Sequence, residues 1–129
     1  MFKISPIQDK ETQERFAKEC GAEYIEESFG YAMINQDNGE LMGMSQFDIL
    51  NGSGYIHTLR SKIGYTDFEA MFILGRATMN FIDLCGIHTC RADKCAAEER
   101  LIKSIGFKFA EDEGCYLADM TGMFDGKCD

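Results

Sequence analysis

The chain has 129 residues, 45% apolar and 12% aromatic, with 22 acidic against 13 basic side chains and a net charge of −9. That length and apolar content suit one domain, residues 1–129, with a core of its own that needs no disulfide or metal staple. The charge argues against a nucleic-acid or anionic-membrane surface, since both need clustered Lys and Arg, and no segment approaches the ~18 continuous apolar residues of a membrane span.

Phe2 to Ser5 reads as a short strand ended by Pro6, which lacks a ladder donor. Asp9 to Cys20 has a helical period, with Phe16, Ala17 and Cys20 on one stripe and Gly21 as its stop. Ala22 to Ser28 is acidic and fits a short helix or a loop equally well. Three strands follow, Phe29 to Asn35, Glu40 to Leu50 and Tyr55 to Arg60, separated by Asn38-Gly39 and Asn51-Gly52. Asn-Gly favours the positive φ angles of tight hairpin turns, which predicts an antiparallel meander. Gly43, inside the second of these strands, marks a bulge or a close backbone approach.

Thr66 to Leu84 reads as a helix opened by a capping box, Thr66-Asp67-Phe68-Glu69. It is apolar on most sides, so it is either sandwiched between a sheet and another element or lies in a subunit interface; a homodimer would supply cover that a short chain lacks. Ile87 to Arg91 is a further strand, and Asp93 is placed to cap a helix from Lys94 to Ser104 that Gly106 stops. Phe107 to Ala110 and Cys115 to Met120 close the chain as a hairpin. A strand, a crossover helix and a second strand form a βαβ unit, so Tyr55 to Arg60 and Ile87 to Arg91 are predicted to be parallel neighbours. Ligands of such units sit where strand ends meet helix N-termini.

The cysteines at 20, 85, 90, 95, 115 and 128 are dispersed. The segment before Gln8-Asp9-Lys10-Glu11 holds no apolar run of signal-peptide length, so a cytoplasmic protein with reduced thiols is expected. The local group Cys85, His88, Cys90 and Cys95 lacks the two-residue gaps common in zinc knuckles, and no metal is expected.

The order strand, helix, meander, helix, strand, helix, hairpin resembles the GNAT superfamily of acyl-CoA N-acyltransferases over nearly the whole chain. Ile4-Ser5-Pro6-Ile7-Gln8-Asp9 looks like that family's opening strand and the acidic residue entering its first helix. Asn38-Gly39-Glu40-Leu41-Met42-Gly43 looks like its second hairpin, and Leu101-Ile102-Lys103-Ser104-Ile105-Gly106-Phe107 like the ending of its last helix. The resemblance implies an α+β fold: a mixed, mostly antiparallel sheet of six to seven strands, helices on both faces, and one parallel pair that splays apart. It also implies that the pantetheine arm of a coenzyme lies in the splay, while the pyrophosphate rests on amides of the loop entering the next helix, where unpaired N–H groups and the dipole favour anions.

Carried onto this sequence, the fourth strand is Tyr55 to Arg60 and the phosphate loop Ser61 to Thr66. The resemblance then assigns acetyl-CoA or another acyl-CoA to Leu59, Arg60, Lys62, Ile63, Gly64, Tyr65 and Thr66. Of the family's loop pattern only Gly64 stands in register, and Asp67 and Glu69 oppose a pyrophosphate that Lys62 and Arg60 attract. The family's acid tyrosine, five residues before the terminal Phe, is replaced by Ile102, and the asparagine twelve before it by Cys95.

The catalytic candidates that remain are His57 and Tyr116, with Tyr55 and Tyr65 beside them. His57 has the intrinsic pKa of a general base near neutrality, and its plainer role is a partly buried strand histidine. Tyr116 also reads as a core aromatic with its hydroxyl at the surface. The implied reaction transfers an acyl group to a primary amine, with a backbone N–H near Leu59 facing the developing oxyanion. An acidic groove suits a small-molecule amine, such as a polyamine or an aminoglycoside, or a lysine side chain. The alternative is a GNAT-like binding or regulatory module that has lost coenzyme A binding.

Overall fold

The computed structural model describes residues 1–125. Its strands are β1 Phe2–Pro6, β2 Phe29–Asn35, β3 Leu41–Leu50, β4 Ser53–Ser61, β5 Thr89–Ala92, β6 Lys108–Ala110 and β7 Cys115–Asp119, and its helices α1 Lys10–Glu19, α2 Phe68–Leu84 and α3 Glu99–Ser104. The strands form one seven-stranded sheet in the order β1-β2-β3-β4-β5-β7-β6. The β4–β5 pair is parallel and every other pair antiparallel, as the βαβ reading predicts.

Local chemistry accounts for most boundaries. Asp9 caps α1 by accepting from the Thr12 N–H at 2.8 Å, and Gly21, at φ +64°, stops it. Asn51 and Gly52 both take positive φ, 51° and 76°, and with Leu50 opposite Ser53 they make the two-residue hairpin that Asn-Gly favours. Pro6 is tolerated as the last residue of β1 because β1 is an edge strand.

Helices cover both faces. Ala17 of α1 and its C-terminal cap Cys20 bury against Ala32, Leu41 and Met44 on one side. On the other, α2 and α3 enclose a larger core of Phe47, Ile56, Leu59, Leu74, Met79, Ile82, Ile102, Ile105 and Phe107, each such side chain contributing ~2 kcal/mol on burial. Gly43 proves to be both a bulge neighbour and a close approach. The β2–β3 register slips by one residue beside it, and a Cβ there would lie 2.9 Å from the Arg60 carbonyl and 2.5 Å from the Met71 methyl.

A second bulge governs β4. Ile56 pairs with Phe47 and Thr58 with Gln46, so His57 is the extra residue. The insertion shifts the alternation: Ile56 and Leu59 both join the α2-side core, while Thr58 points to the α1 side and accepts from Gln46 Nε2 at 3.1 Å.

Gln46 is fully buried, and its amide fastens the segment between α1 and β2. Its Oε1 accepts from Gln13 Nε2 at 2.9 Å and from the Ile25 N–H at 3.0 Å, and its Nε2 donates to the Glu23 carbonyl at 2.8 Å. Residues 22–28, ambiguous by sequence, are therefore a loop held to the sheet by side-chain bonds.

Two expectations are corrected. The side chain that caps α2 is Asp67, whose Oδ1 accepts from the Ala70 N–H at 3.0 Å, and not Thr66. Helix α3 begins at Glu99 rather than Lys94, and Asp93 does not cap it. Helix α2 lies between the sheet and α3, and Arg100 and Arg76 cover its Phe68 and Phe72 rings at 4.0 and 5.0 Å. Ile73 and Leu84 are its exposed large apolar side chains.

Replacing Gln46 by Leu keeps the volume but removes one acceptor of Gln13 Nε2 and orphans the Ile25 N–H and the Glu23 carbonyl. Urea denaturation is expected to show a loss of about 3 kcal/mol.

Candidate functional site

A cavity of about 480 Å³ opens at the C-terminal end of β4, beside the first turn of α2. Leu59, Arg60, Lys62, Ile63, Gly64, Tyr65 and Thr66 all line it, joined by Asp67, Glu98 and Arg100. The structure therefore gathers every residue assigned to coenzyme into one concavity.

The loop's donors are largely committed. Lys62 N–H donates to the Met42 carbonyl, Ile63 N–H to the Glu19 carbonyl and Tyr65 N–H to the Lys62 carbonyl, each at 2.9 Å. Among the described residues the N–H groups of Gly64 and Thr66 have no acceptor, so these two are the loop amides left for an anion. Gly64 sits at φ +86° with nothing within 4 Å of a Cβ, so conformation and not space requires glycine there.

Cations and carboxylates share the wall. Arg60, Lys62 and Arg100 face Asp67 and Glu98, and Lys62 Nζ lies 3.9 Å from Glu19. The Tyr65 hydroxyl faces Asp67 Oδ2 at 3.4 Å, and burial together with that carboxylate raises the phenol pKa above its ordinary value. Cys20 is 4% exposed in the same wall, and burial pushes its thiol up to about 12.

His57 has a partner that the sequence reading did not single out. Its Nε2 lies 3.0 Å from Asp48 Oδ2, both side chains being about one-fifth exposed. Asp48 stands opposite Tyr55 across the β3–β4 hairpin, and the Tyr55 ring lies nearly parallel to the imidazole, 12° between planes and 6.3 Å between centroids. With Nε2–H donated to Asp48, the shorter of its two carboxylate contacts, the imidazole is oriented as a carboxylate orients a histidine base and carries its lone pair on Nδ1. Asp93 Oδ2 lies 3.4 Å from that Nδ1.

Tyr116 is not brought to His57. It is 7% exposed in the core on the α2 side, edge-on to Phe109 at 5.2 Å, whereas His57 is on the other face of the sheet.

The splay between β4 and β5 exists but is filled. The two strands pair only at Gly54 with Cys90, Tyr55 with Arg91 and Ile56 with Ala92. Beyond that point residues 93–97 fold into the gap: the Asp93 N–H donates to the Ile56 carbonyl at 3.2 Å and the Leu59 N–H to the Ala96 carbonyl at 2.8 Å. Arg60 Nη2 donates to the Cys95 carbonyl at 2.7 Å. The Leu59 N–H, expected to face an oxyanion, is thus occupied. The cavity carries three cations and two loop amides without an acceptor, while the open edge of β4 beside it is held by the chain itself.

Among the described residues no three His, Cys, Asp or Glu side chains stand close enough to hold a metal ion, and Cys128 lies outside them. His88 Nδ1 is bonded instead to Asp83 at 2.6 Å. No helix of the described residues is long and apolar enough to cross a membrane.

The fold is that of the GNAT N-acetyltransferases. The PaiA N-acetyltransferase from Thermoplasma acidophilum, in complex with coenzyme A, matches with a TM-score of 0.71 over 92% of this chain and 99% of its own, at 16% identity. The ribosomal-protein-S18-alanine N-acetyltransferase from Escherichia coli matches with a TM-score of 0.69 over 93% and 94%, at 14% identity. The NatC complex bound to Gag peptide and CoA contains a chain that matches with a TM-score of 0.63 over 92% and 98%, at 16% identity. At such identities the likeness is one of fold. The sequence matches no protein-family model and no curated protein.

Thiol chemistry checks the burial pattern. Cys85 and Cys95 are exposed, while Cys20 and Cys90, both raised to about 12 by burial, should react with iodoacetamide at pH ~8 only after unfolding. Peptide mass spectrometry of native and denatured samples reads this directly.

Proposed function

We propose that this protein is a cytoplasmic N-acyltransferase that transfers an acetyl or acyl group from acyl-CoA to a primary amine. The observation that carries the reading is the placement, on one strand of a GNAT fold, of His57, oriented by Asp48 of the neighbouring strand, and, three residues on, of Arg60, the first cation of the cavity at the strand's end. Acyl-CoA would supply the activated carbonyl. Arg60, Lys62 and Arg100, with the Gly64 and Thr66 amides, would hold its phosphates.

The protein's own part is largely positional and electrostatic. An amine arrives protonated and must lose a proton before it attacks; His57 Nδ1 is the acceptor for that proton, and Asp48 stabilises the imidazolium that results. The new bond joins the amine nitrogen to the carbonyl carbon, the carbon–sulfur bond breaks, and the nitrogen's second proton balances the departing thiolate. Asp48 and Asp93 beside His57 favour a cationic acceptor, a small-molecule amine or a lysine side chain. Tyr65, whose phenol is held protonated, is better placed than Tyr116 to give a proton near the cavity.

One observation favours a second reading, a module that no longer binds coenzyme: the Leu59 N–H is spent on Ala96. A thermal shift decides between them. Acetyl-CoA at 100 times its dissociation constant should raise stability by about 2.7 kcal/mol, and no shift at millimolar coenzyme would sink the acyltransferase reading.

Further outcomes are expected if it stands. The double replacement Asp67→Asn and Glu69→Gln keeps the Asp67 capping oxygen and removes two negative charges, so calorimetry should show tighter binding, most clearly at low salt. Gly64→Val should weaken binding through its positive φ. His57→Gln and Asp48→Asn should each lower kcat, His57→Gln by ~10²-fold or more, with KM for coenzyme unchanged.

A further inference from the structure

Residues 93–98 behave less like a connection than like a bound ligand. Asp93 is a good cap, and Lys94, Ala96, Ala97, Glu98 and Glu99 are helix formers, so local preference favours a helix from Lys94. The helix starts instead at Glu99, where Glu98 makes no side-chain capping bond. What opposes the local preference is three hydrogen bonds with β4: the Asp93 N–H on the Ile56 carbonyl, the Ala96 carbonyl on the Leu59 N–H, and the Cys95 carbonyl on the Arg60 guanidinium; they also set the Asp93 carboxylate 3.4 Å from His57 Nδ1. Ala96 is fully buried, while Lys94 and Cys95 just before it are exposed.

The segment thereby covers the groups that acyl transfer would draw on: an amide on the open edge of β4, a cation for phosphate, and the Nδ1 side of the base, which the Asp93 carboxylate screens. We propose that residues 93–98 are an autoinhibitory strap, which binds β4 in place of a coenzyme arm and refolds as the first turns of α3 when coenzyme displaces it. The proposal rests on the acyltransferase reading. In the strap the segment is held by the Asp93 N–H on Ile56, the Ala96 N–H on the Asp93 carbonyl, and the Cys95 and Ala96 carbonyls on β4; in the helix i→i−4 bonds with Asp93 as cap would replace them, so a ligand that competes for β4 can shift the balance. Apparent coenzyme affinity is then reduced by the fraction of molecules whose strap is closed.

Ala96→Lys separates the two states, because a lysine cannot occupy the buried position yet suits a helix. Without coenzyme, the variant should lose hydrogen-exchange protection at the Leu59 amide and gain helix by circular dichroism. With coenzyme A in the calorimeter, it should bind about 10-fold more tightly than wild type. In the wild type, coenzyme should slow exchange at the amides of Ala96, Ala97 and Glu98, a measurement that carries the test alone if the variant does not fold. An unchanged Leu59 amide in the folded variant, or wild-type coenzyme binding with no change at residues 96–98, overturns the strap. Failure of both proteins to bind millimolar coenzyme overturns the acyltransferase reading, and the gating role with it, even if Ala96→Lys frees Leu59.

Discussion

The extra residue at His57 sets the geometry of everything beyond it on β4. Before the bulge, β4 is bonded on both edges, to β3 and to β5. At the bulge the strand bends, pairing with β5 ceases after Ile56, and the alternation of faces shifts by one. That shift lets Ile56 and Leu59 both serve the α2 core, and it turns His57 out toward Asp48 on the opposite side. The cavity, the oriented histidine and the orphaned edge of β4 all follow from one inserted residue.

An edge so opened leaves strong donors that must be satisfied, because an unpaired buried N–H costs about as much as a lost hydrogen bond. Water or a ligand is one solution. Here the chain supplies another from the segment after β5, and no buried side-chain polar atom among the described residues lacks a partner. Gln46 solves the same problem on the α1 side, where one amide completes the loop of residues 22–28. Both faces of the sheet thus rely on groups borrowed from irregular backbone.

Most of the fold was legible because its signals are local. Asn51-Gly52 fixed a hairpin, the apolar period of α2 fixed a crossover helix, and Gly21 and Gly106 marked helix stops. The seven coenzyme-loop residues were legible through the order of elements and not through their own motif, of which Gly64 alone remains. The start of α3 was not legible: Ala96 and Ala97 read as helix, and only the bulge on a strand about forty residues earlier explains why they are not. Thr66 and Asp67 are both competent caps one residue apart, so the choice between them depends on how the loop enters. Asp48 was within reach. The two-residue turn sets Leu50 against Ser53, which puts Asp48 opposite Tyr55 and diagonal to His57.

The short β4–β5 ladder has a mechanical consequence. Strands β1 to β4 form one antiparallel plate and β5, β7 and β6 another, and the two meet at only three residue pairs. Helix α2 is their common backing, and the segment after β5 adds the few stitches that extend the join. Cooperative opening units tend to coincide with such continuous ladders, so each plate is the stiffer body and the join between them is the hinge line. A molecule built this way converts occupancy of a narrow crevice into rigidity of the whole sheet, because whatever lies along the seam is, in effect, an eighth strand shared by both plates.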